Sequence, residues 1–205
     1  MRRHEGLRLR AAKLAAAASD LKRRSGVAAP FSLAFLTDQR RIPRPLTIAR
    51  SLPRGTAVIL RDYDMPRRAG LAAQLKSVAA TRGLKLIIGA DIALARKIGA
   101  DGVHCPRWFS PDAALPDGMI LTAACHDAAE LQGARTMGAD LALLSPAFTT
   151  WSHPGDGAMG ASAFKALAAA SPLPVLALGG VNEINAHYLA GPNVTGLAAI
   201  SAFLG

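Results

Sequence analysis

The sequence predicts a closed (β/α)8 barrel of the TIM type, and three observations carry that expectation. Eight short apolar runs suited to buried strands follow one another after Gly26. Ala-rich stretches with helical character separate most of them, so the strands are expected to be parallel and covered on both faces. The segments Gly99-Ala100-Asp101-Gly102 and Gly138-Ala139-Asp140 each close a helix and open a strand, as repeated units would. An open doubly wound sheet is the rival architecture, but its G-x-G-x-x-G fingerprint after the first strand is missing. A chain of 205 residues lies near the short end for the barrel.

In chain order, the first element is a basic helix that starts at Leu7, with Leu7, Leu14 and Leu21 in heptad spacing and Ala between them. The expected strands are Leu33–Thr37, Ala57–Arg61, Leu84–Ile88, Gly102–His104, Met119–Thr122, Leu141–Ser145, Pro174–Leu178 and Leu197–Ser201. The clearest helices are Pro66–Thr81, Asp91–Ile98, Asp127–Met137, Ala161–Ala170 and Asn182–Leu189. Ser110-Pro111 has the form of an N-cap followed by proline at the first helical position. The sequence stops at Gly205, just after the eighth strand, so the eighth helix is expected to be truncated or missing. The basic N-terminal helix is expected to cover part of that gap. Two units result: a helical extension over 1–26 and a barrel over 27–205.

Composition narrows the function classes. Hydrophobic residues make up 51% and charged residues 19%, which excludes a disordered chain. No apolar run is long enough to span a membrane. The net charge is +10, yet residues 1–24 hold eight basic and two acidic side chains and so contribute +6 of it. That start has the Arg-rich, acid-poor form of a transit peptide, a minor reading beside a helix packed by its leucines. A basic docking face for an anionic partner is a third reading. With no interleaved aromatic residue and no zinc-finger or RNA-recognition signature, nucleic acid is disfavoured as a partner. Cys105 and Cys125 are too few for a disulfide scaffold and are read as buried thiols of a cytoplasmic protein, in preference to metal ligands.

Chemistry in such barrels sits on the loops after the strands. Gly179-Gly180 follows strand seven and Ser201 ends strand eight, where bare backbone N–H groups suit a phosphate. His126 follows strand five and is the leading acid/base candidate, because imidazole titrates near neutrality. The bland alternative is a histidine bonded at a helix start, next to the Asp127-x-x-Glu130 capping box. His187 reads as a surface residue.

Those loops also resemble the thiamin phosphate synthase/TenI family over residues 31–203. The resemblance rests on Leu36-Thr37-Asp38, Val58-Ile59-Leu60-Arg61, Asp91-Ile92-Ala93-Leu94-Ala95 and Gly99-Ala100-Asp101-Gly102-Val103-His104. Ser145-Pro146-Ala147-Phe148-Thr149-Thr150, Leu178-Gly179-Gly180-Val181 and Ala199-Ile200-Ser201-Ala202 complete it, in the family's order. The resemblance implies a (β/α)8 barrel that joins a hydroxymethylpyrimidine diphosphate to a thiazole phosphate with Mg²⁺. It implies substrate and phosphate contacts from Thr37, Thr149, Thr150, His153, Gly179, Gly180 and Ser201, with Arg61 left from a basic pair.

The sequence departs from the synthase pattern on the diphosphate side. Tyr63 stands at the lysine of the pair, the Asn-Asp after strand three is reduced to Ile88-Gly89-Ala90-Asp91, and Arg107-Trp108-Phe109 replaces a metal aspartate. His153 lies in the region of a further lysine. At Phe109-Ser110-Pro111 and His126 the chain looks more like the TenI branch, whose tautomerases aromatise a thiazole carboxylate phosphate without metal. The expected function is therefore a thiazole tautomerase with His126 and Arg61 as catalytic residues and no cofactor. The alternatives are a synthase with Mg²⁺ and a site rebuilt from Asp62, Asp64 or Asp91, or a non-catalytic protein that binds a thiamin intermediate. Pairing with a second copy of the chain is left open.

Overall fold

The computed structural model describes residues 2–112, 115–149 and 157–204. The described elements run α1 (Arg2–Ser25), β1 (Leu33–Leu36), α2 (Pro45–Ala49), β2 (Ala57–Leu60), α3 (Arg68–Arg82), β3 (Lys85–Gly89) and α4 (Ile92–Ile98). They continue β4 (Gly102–Cys105), β5 (Ile120–Cys125), α5 (Ala128–Thr136), β6 (Leu141–Leu144), α6 (Gly160–Ala169), β7 (Val175–Ala177) and β8 (Val194–Ala199). Two short 3-10 helices, Ala186–Leu189 and Ser201–Phe203, flank β8. The eight strands pair in sequence order and β8 closes on β1, all in parallel. The expected barrel is present.

Strand alternation divides the apolar residues into two cores. Ala34, Leu36, Ile59, Ile87, Leu141, Leu143, Leu176 and Ala198 fill the barrel interior above Phe31. Their neighbours Phe35, Val58, Leu60, Leu86, Val103, Leu144 and Val175 face the helices. Each interior side chain thus comes from every second strand position, the filling expected of a small barrel. The repeated Gly-Ala-Asp junctions have a specific reason. Gly99 and Gly138 take left-handed φ of 61° and 84° after α4 and α5. Asp101 then accepts the N–H of Leu86 and Asp140 that of Leu121, each at 2.8 Å, so each carboxylate pins the start of its strand to the preceding one.

α1 packs mainly on β8, with further contact to β1 and both 3-10 helices. Ala11, Leu14, Ala18 and Leu21 form its buried stripe at helical spacing. The helix therefore covers the outer face of the barrel beside β8, as the leucine spacing suggests, while most of its basic side chains stay exposed. No helix among the described residues is long and apolar enough to cross a membrane.

Two expected elements differ, and one helix forms where none was expected. Asn182–Leu189 is reduced to the single 3-10 turn at Ala186–Leu189. Asn182 Oδ1 accepts from the N–H of Ile184 and Asn185, and Asn185 Oδ1 accepts from Asn182 N–H, so side chains take bonds that a helix would need. No helix begins at Ser110-Pro111. Between β1 and β2 the five-residue α2 opens on Pro45, too short to show an amphipathic period.

Candidate functional site

The polar ends of the strands gather at the C-terminal mouth of the barrel, in two halves. The first lies after β7 and β8, which are neighbours in the sheet. Gly179 and Gly180 have φ of 92° and 65°. A side chain would not fit either one. A Cβ on Gly179 falls 2.9 Å from Pro146 Cα, and one on Gly180 falls 2.6 Å from the Thr149 carbonyl oxygen. The loop after β6 thus lies directly on the glycines, held by Ala147 N–H to Leu178 O (2.9 Å) and Phe148 N–H to Gly179 O (3.0 Å). Among the described residues no acceptor takes the N–H of Gly179, Gly180 or Ser201, and the Ser201 side chain is exposed at the start of its 3-10 turn. Unspent donors on adjacent loops are what an anion requires. Thr149 reaches this half through its backbone; Thr150 and His153 lie outside the described residues.

The second half lies after β1–β5 and is dense in charge. Asp38 Oδ2 accepts from Arg41 Nε at 2.7 Å and from Arg61 Nη2 at 2.9 Å. Burial disfavours the Asp38 carboxylate, but Arg41 and then Arg61 outweigh it and hold the carboxyl below its usual range. Thr37 is fully buried and its hydroxyl accepts the N–H of Arg61 at 3.0 Å, which ties the ends of β1 and β2 together. Asp62 Oδ1 accepts the N–H of Gln39 at 2.8 Å.

Arg68, in the first turn of α3, is the residue that sequence reasoning missed. Its side chain is only 10% exposed, and Nη1 reaches Asp91 Oδ2 at 3.2 Å. Nη2 donates to the carbonyls of Leu60 and Gly89 at the ends of β2 and β3. The guanidinium lies 5.9 Å from the ring centroid of Tyr63, whose phenol burial pushes up to about 12. A guanidinium thus stands beside position 63, with its Nη atoms committed to Asp91 and the two carbonyls. Tyr63 also meets Trp108 edge to face at 5.1 Å, and Trp108 stays 67% exposed as an aromatic wall on the rim.

His126 follows β5 and is 42% exposed, with Nδ1 2.9 Å from Glu130 Oε2. Glu130 also accepts the His126 backbone N–H at 2.8 Å, and Arg107 Nε lies 2.6 Å from its other oxygen. The helix-start bonding and the acid/base geometry coexist, because a histidine–carboxylate pair serves both. The expected capping box is half present: Asp127 accepts from Glu130 N–H, while the Glu130 carboxylate serves His126.

These commitments decide whether the donor set fits Mg²⁺. That ion takes oxygen ligands, typically one or two carboxylates beside phosphate oxygens. Asp38 is held by two arginines, and Asp91 by Arg68 on one oxygen and by the Leu94 N–H it caps at 2.8 Å on the other. Asp64 points to solvent as an isolated exposed residue. No three His, Cys, Asp or Glu side chains converge among the described residues. Asp62 alone keeps a buried oxygen, Oδ2, without a hydrogen-bond partner, so at most this one carboxylate is free to hold the ion, and neither Asp64 nor Asp91 joins it.

Below the mouth, His104 faces the barrel interior, because its neighbours Val103 and Cys105 belong to the outer core. Its Nδ1 sits 2.9 Å from Thr122 Oγ1, and burial, reinforced by Arg61, depresses it to about 4. The unfolded chain binds a proton at His104 more readily, so this group's contribution to stability is complete above its ordinary value of 6.5 and is lost as pH falls toward 4. Denaturant titration should show a loss of about 3 kcal/mol over that interval that His104→Gln removes. Asp38 acts only at lower pH, as its depressed carboxyl protonates. Cys105 and Cys125 are buried, with thiols pushed up by burial to about 11 and 12, as expected of packing residues.

Fold and mouth together define a (β/α)8 barrel whose loops after β7 and β8 carry backbone N–H groups that no described residue accepts. The model of one family, described as thiamine monophosphate synthase, matches residues 33–203. The thiamine-phosphate synthase of Acidithiobacillus ferrooxidans is 31% identical over 180 residues, covering 81% of this chain and 83% of that protein. A bifunctional ThiM/ThiE thiamine biosynthesis protein of Symbiobacterium thermophilum is 33% identical over 71% of this chain, which spans only 31% of that longer protein. Among solved structures, a thiamine phosphate pyrophosphorylase from Pyrococcus furiosus superposes with a TM-score of 0.71 over 84% of this chain and 87% of its own, at 24% identity, a likeness of fold. The chain belongs to the thiamine monophosphate synthase family. These likenesses do not separate the TenI branch from the synthases.

Proposed function

We propose that the protein holds the phosphate of a phosphorylated thiazole on the Gly179, Gly180 and Ser201 backbone and joins that thiazole to a pyrimidine delivered as its diphosphate. The observation that carries this reading is the set of unspent N–H donors on the two adjacent loops. The names of its relatives favour the transferase over the tautomerase expected from sequence. In the reaction the thiazole nitrogen forms a bond to the pyrimidine methylene carbon as the carbon–oxygen bond to diphosphate breaks, and diphosphate leaves. Charge grows on that leaving group, and the chain offers guanidinium groups to meet it. Arg61 spends Nη2 on Asp38 and keeps its other donors, with Arg41 beside it. Trp108 supplies an exposed aromatic face for a flat ring.

The test is chromatographic detection of thiamin phosphate and diphosphate from the two substrates. Turnover is expected to persist in excess chelator, because Asp38 and Asp91 are already bonded to arginine. Arg61→Ala should lower it by about 10²–10³. Complete loss on chelation contradicts the arginine account.

One observation favours a second reading. The His126–Glu130 pair at 2.9 Å is a proton-transfer arrangement that asks for no metal, which suits tautomerisation of a thiazole carboxylate phosphate. Isomerisation that vanishes in His126→Ala, with no thiamin phosphate formed, would establish it.

A further inference from the structure

A second concavity lies on the outer rim, away from the barrel axis. The loop after β1, α2 and the start of α3 border an open groove of about 420 Å³. Arg44, Arg50 and Arg67 line it, and no Asp or Glu does. All three arginines are exposed, and none has a carboxylate partner among the described residues. The neighbouring Arg41, Arg61 and Arg68 are each paired with an acid. The contrast is sharpest at two consecutive residues: Arg68 turns inward to Asp91, while Arg67 lines the groove. Three like charges around one concavity repel each other unless an anion sits among them. Guanidinium forks match phosphate oxygens in pairs. Pro45, Leu46, Met65 and Leu71 add apolar lining, and the volume suits a small organic ligand.

We propose that this groove is a separate binding site for a phosphate-bearing small molecule with a flat apolar body. Its phosphates would sit among Arg44, Arg50 and Arg67, with the body against Leu46 and Leu71. The site is not isolated from the mouth. Gln39 lines the groove, and its backbone N–H is bonded to Asp62, next to Arg61. An occupant therefore contacts the loop that carries Asp38, the partner of Arg61.

The test is calorimetric titration of the full chain with ADP, adenosine and inorganic diphosphate. Each is repeated on the triple variant Arg44→Gln/Arg50→Gln/Arg67→Gln and on Gly180→Ala, which alters the thiazole end. The proposal expects ADP to bind more tightly than diphosphate, and adenosine not to bind measurably. It expects ADP affinity to fall by about tenfold or more in the triple variant and to be retained in Gly180→Ala. Three results overturn it. One is no binding of ADP, another is equal affinity of ADP and diphosphate, and the third is ADP binding that survives the triple variant. Because all three arginines are exposed, the variant is expected to keep the wild-type unfolding midpoint, so that lost binding reads as a lost site.

Discussion

Replacing Leu14 and Leu21 together by alanine is expected to cost about 4–8 kcal/mol, which is enough to leave a typical domain largely unfolded. Both leucines are almost completely buried, at 0% and 1% exposure, on the stripe of α1 that seats against β8 and its flanking 3-10 helices. Removing them opens a cavity along the seam where β8 closes on β1, and the barrel depends on that closure. Exposed Lys13 on the same helix gives the contrast, since Lys13→Ala should shift stability by less than about 0.5 kcal/mol. Urea denaturation of the three proteins decides the matter. A double variant as stable as the parent would show that α1 is an appendage with no part in holding the barrel.

The second large effect is expected at Gly180. Alanine there must adopt φ of 65° and place its Cβ 2.6 Å from the Thr149 carbonyl oxygen, a backbone atom that no side-chain rotation can move away. The loops after β6 and β7 must part, and the Gly179 and Gly180 N–H groups shift with them. Charge-assisted bonds of this kind are worth about 1.5–3 kcal/mol, so affinity for the phosphorylated thiazole should fall about ten- to a hundredfold. Gly133→Ala is the control, because a Cβ on that helical glycine meets nothing within 4 Å. Titration of both variants with the thiazole phosphate should show the loss at Gly180 alone.

The fold was legible because buried parallel strands must be short apolar runs, and seven lay close to where hydrophobicity and turn residues put them, while β8 runs over Val194–Ala199, three residues ahead of the expected start and short of Ser201. The helix expected after β7 failed for a local reason: Asn182 and Asn185 bond each other's backbone, and that exchange is invisible to propensity. In the site, Gly179-Gly180 was legible because a left-handed backbone pressed under another loop leaves few residues to choose from. Arg68 was not, since an arginine in a helix's first turn normally lies in solvent. Only barrel closure brings the Leu60 and Gly89 carbonyls and the Asp91 carboxylate around it. The same closure puts the Thr37 hydroxyl against the Arg61 backbone N–H, a bond that the sequence does not display. His104 could have been placed by alternation alone, because Val103 and Cys105 on either side are apolar residues of the helix-facing core.

The departures on the diphosphate side also take on a physical meaning. Loss of lysine at position 63 is accompanied by a guanidinium beside Tyr63, and loss of free carboxylates by arginines on Asp38 and Asp91.

The most direct test of the account is titration of the full chain with the phosphorylated thiazole and with its dephosphorylated alcohol. The N–H donors of Gly179, Gly180 and Ser201 have work only if the phosphate is there. The account expects the phosphate to bind at least about a hundredfold more tightly than the alcohol. Equal affinities would contradict it.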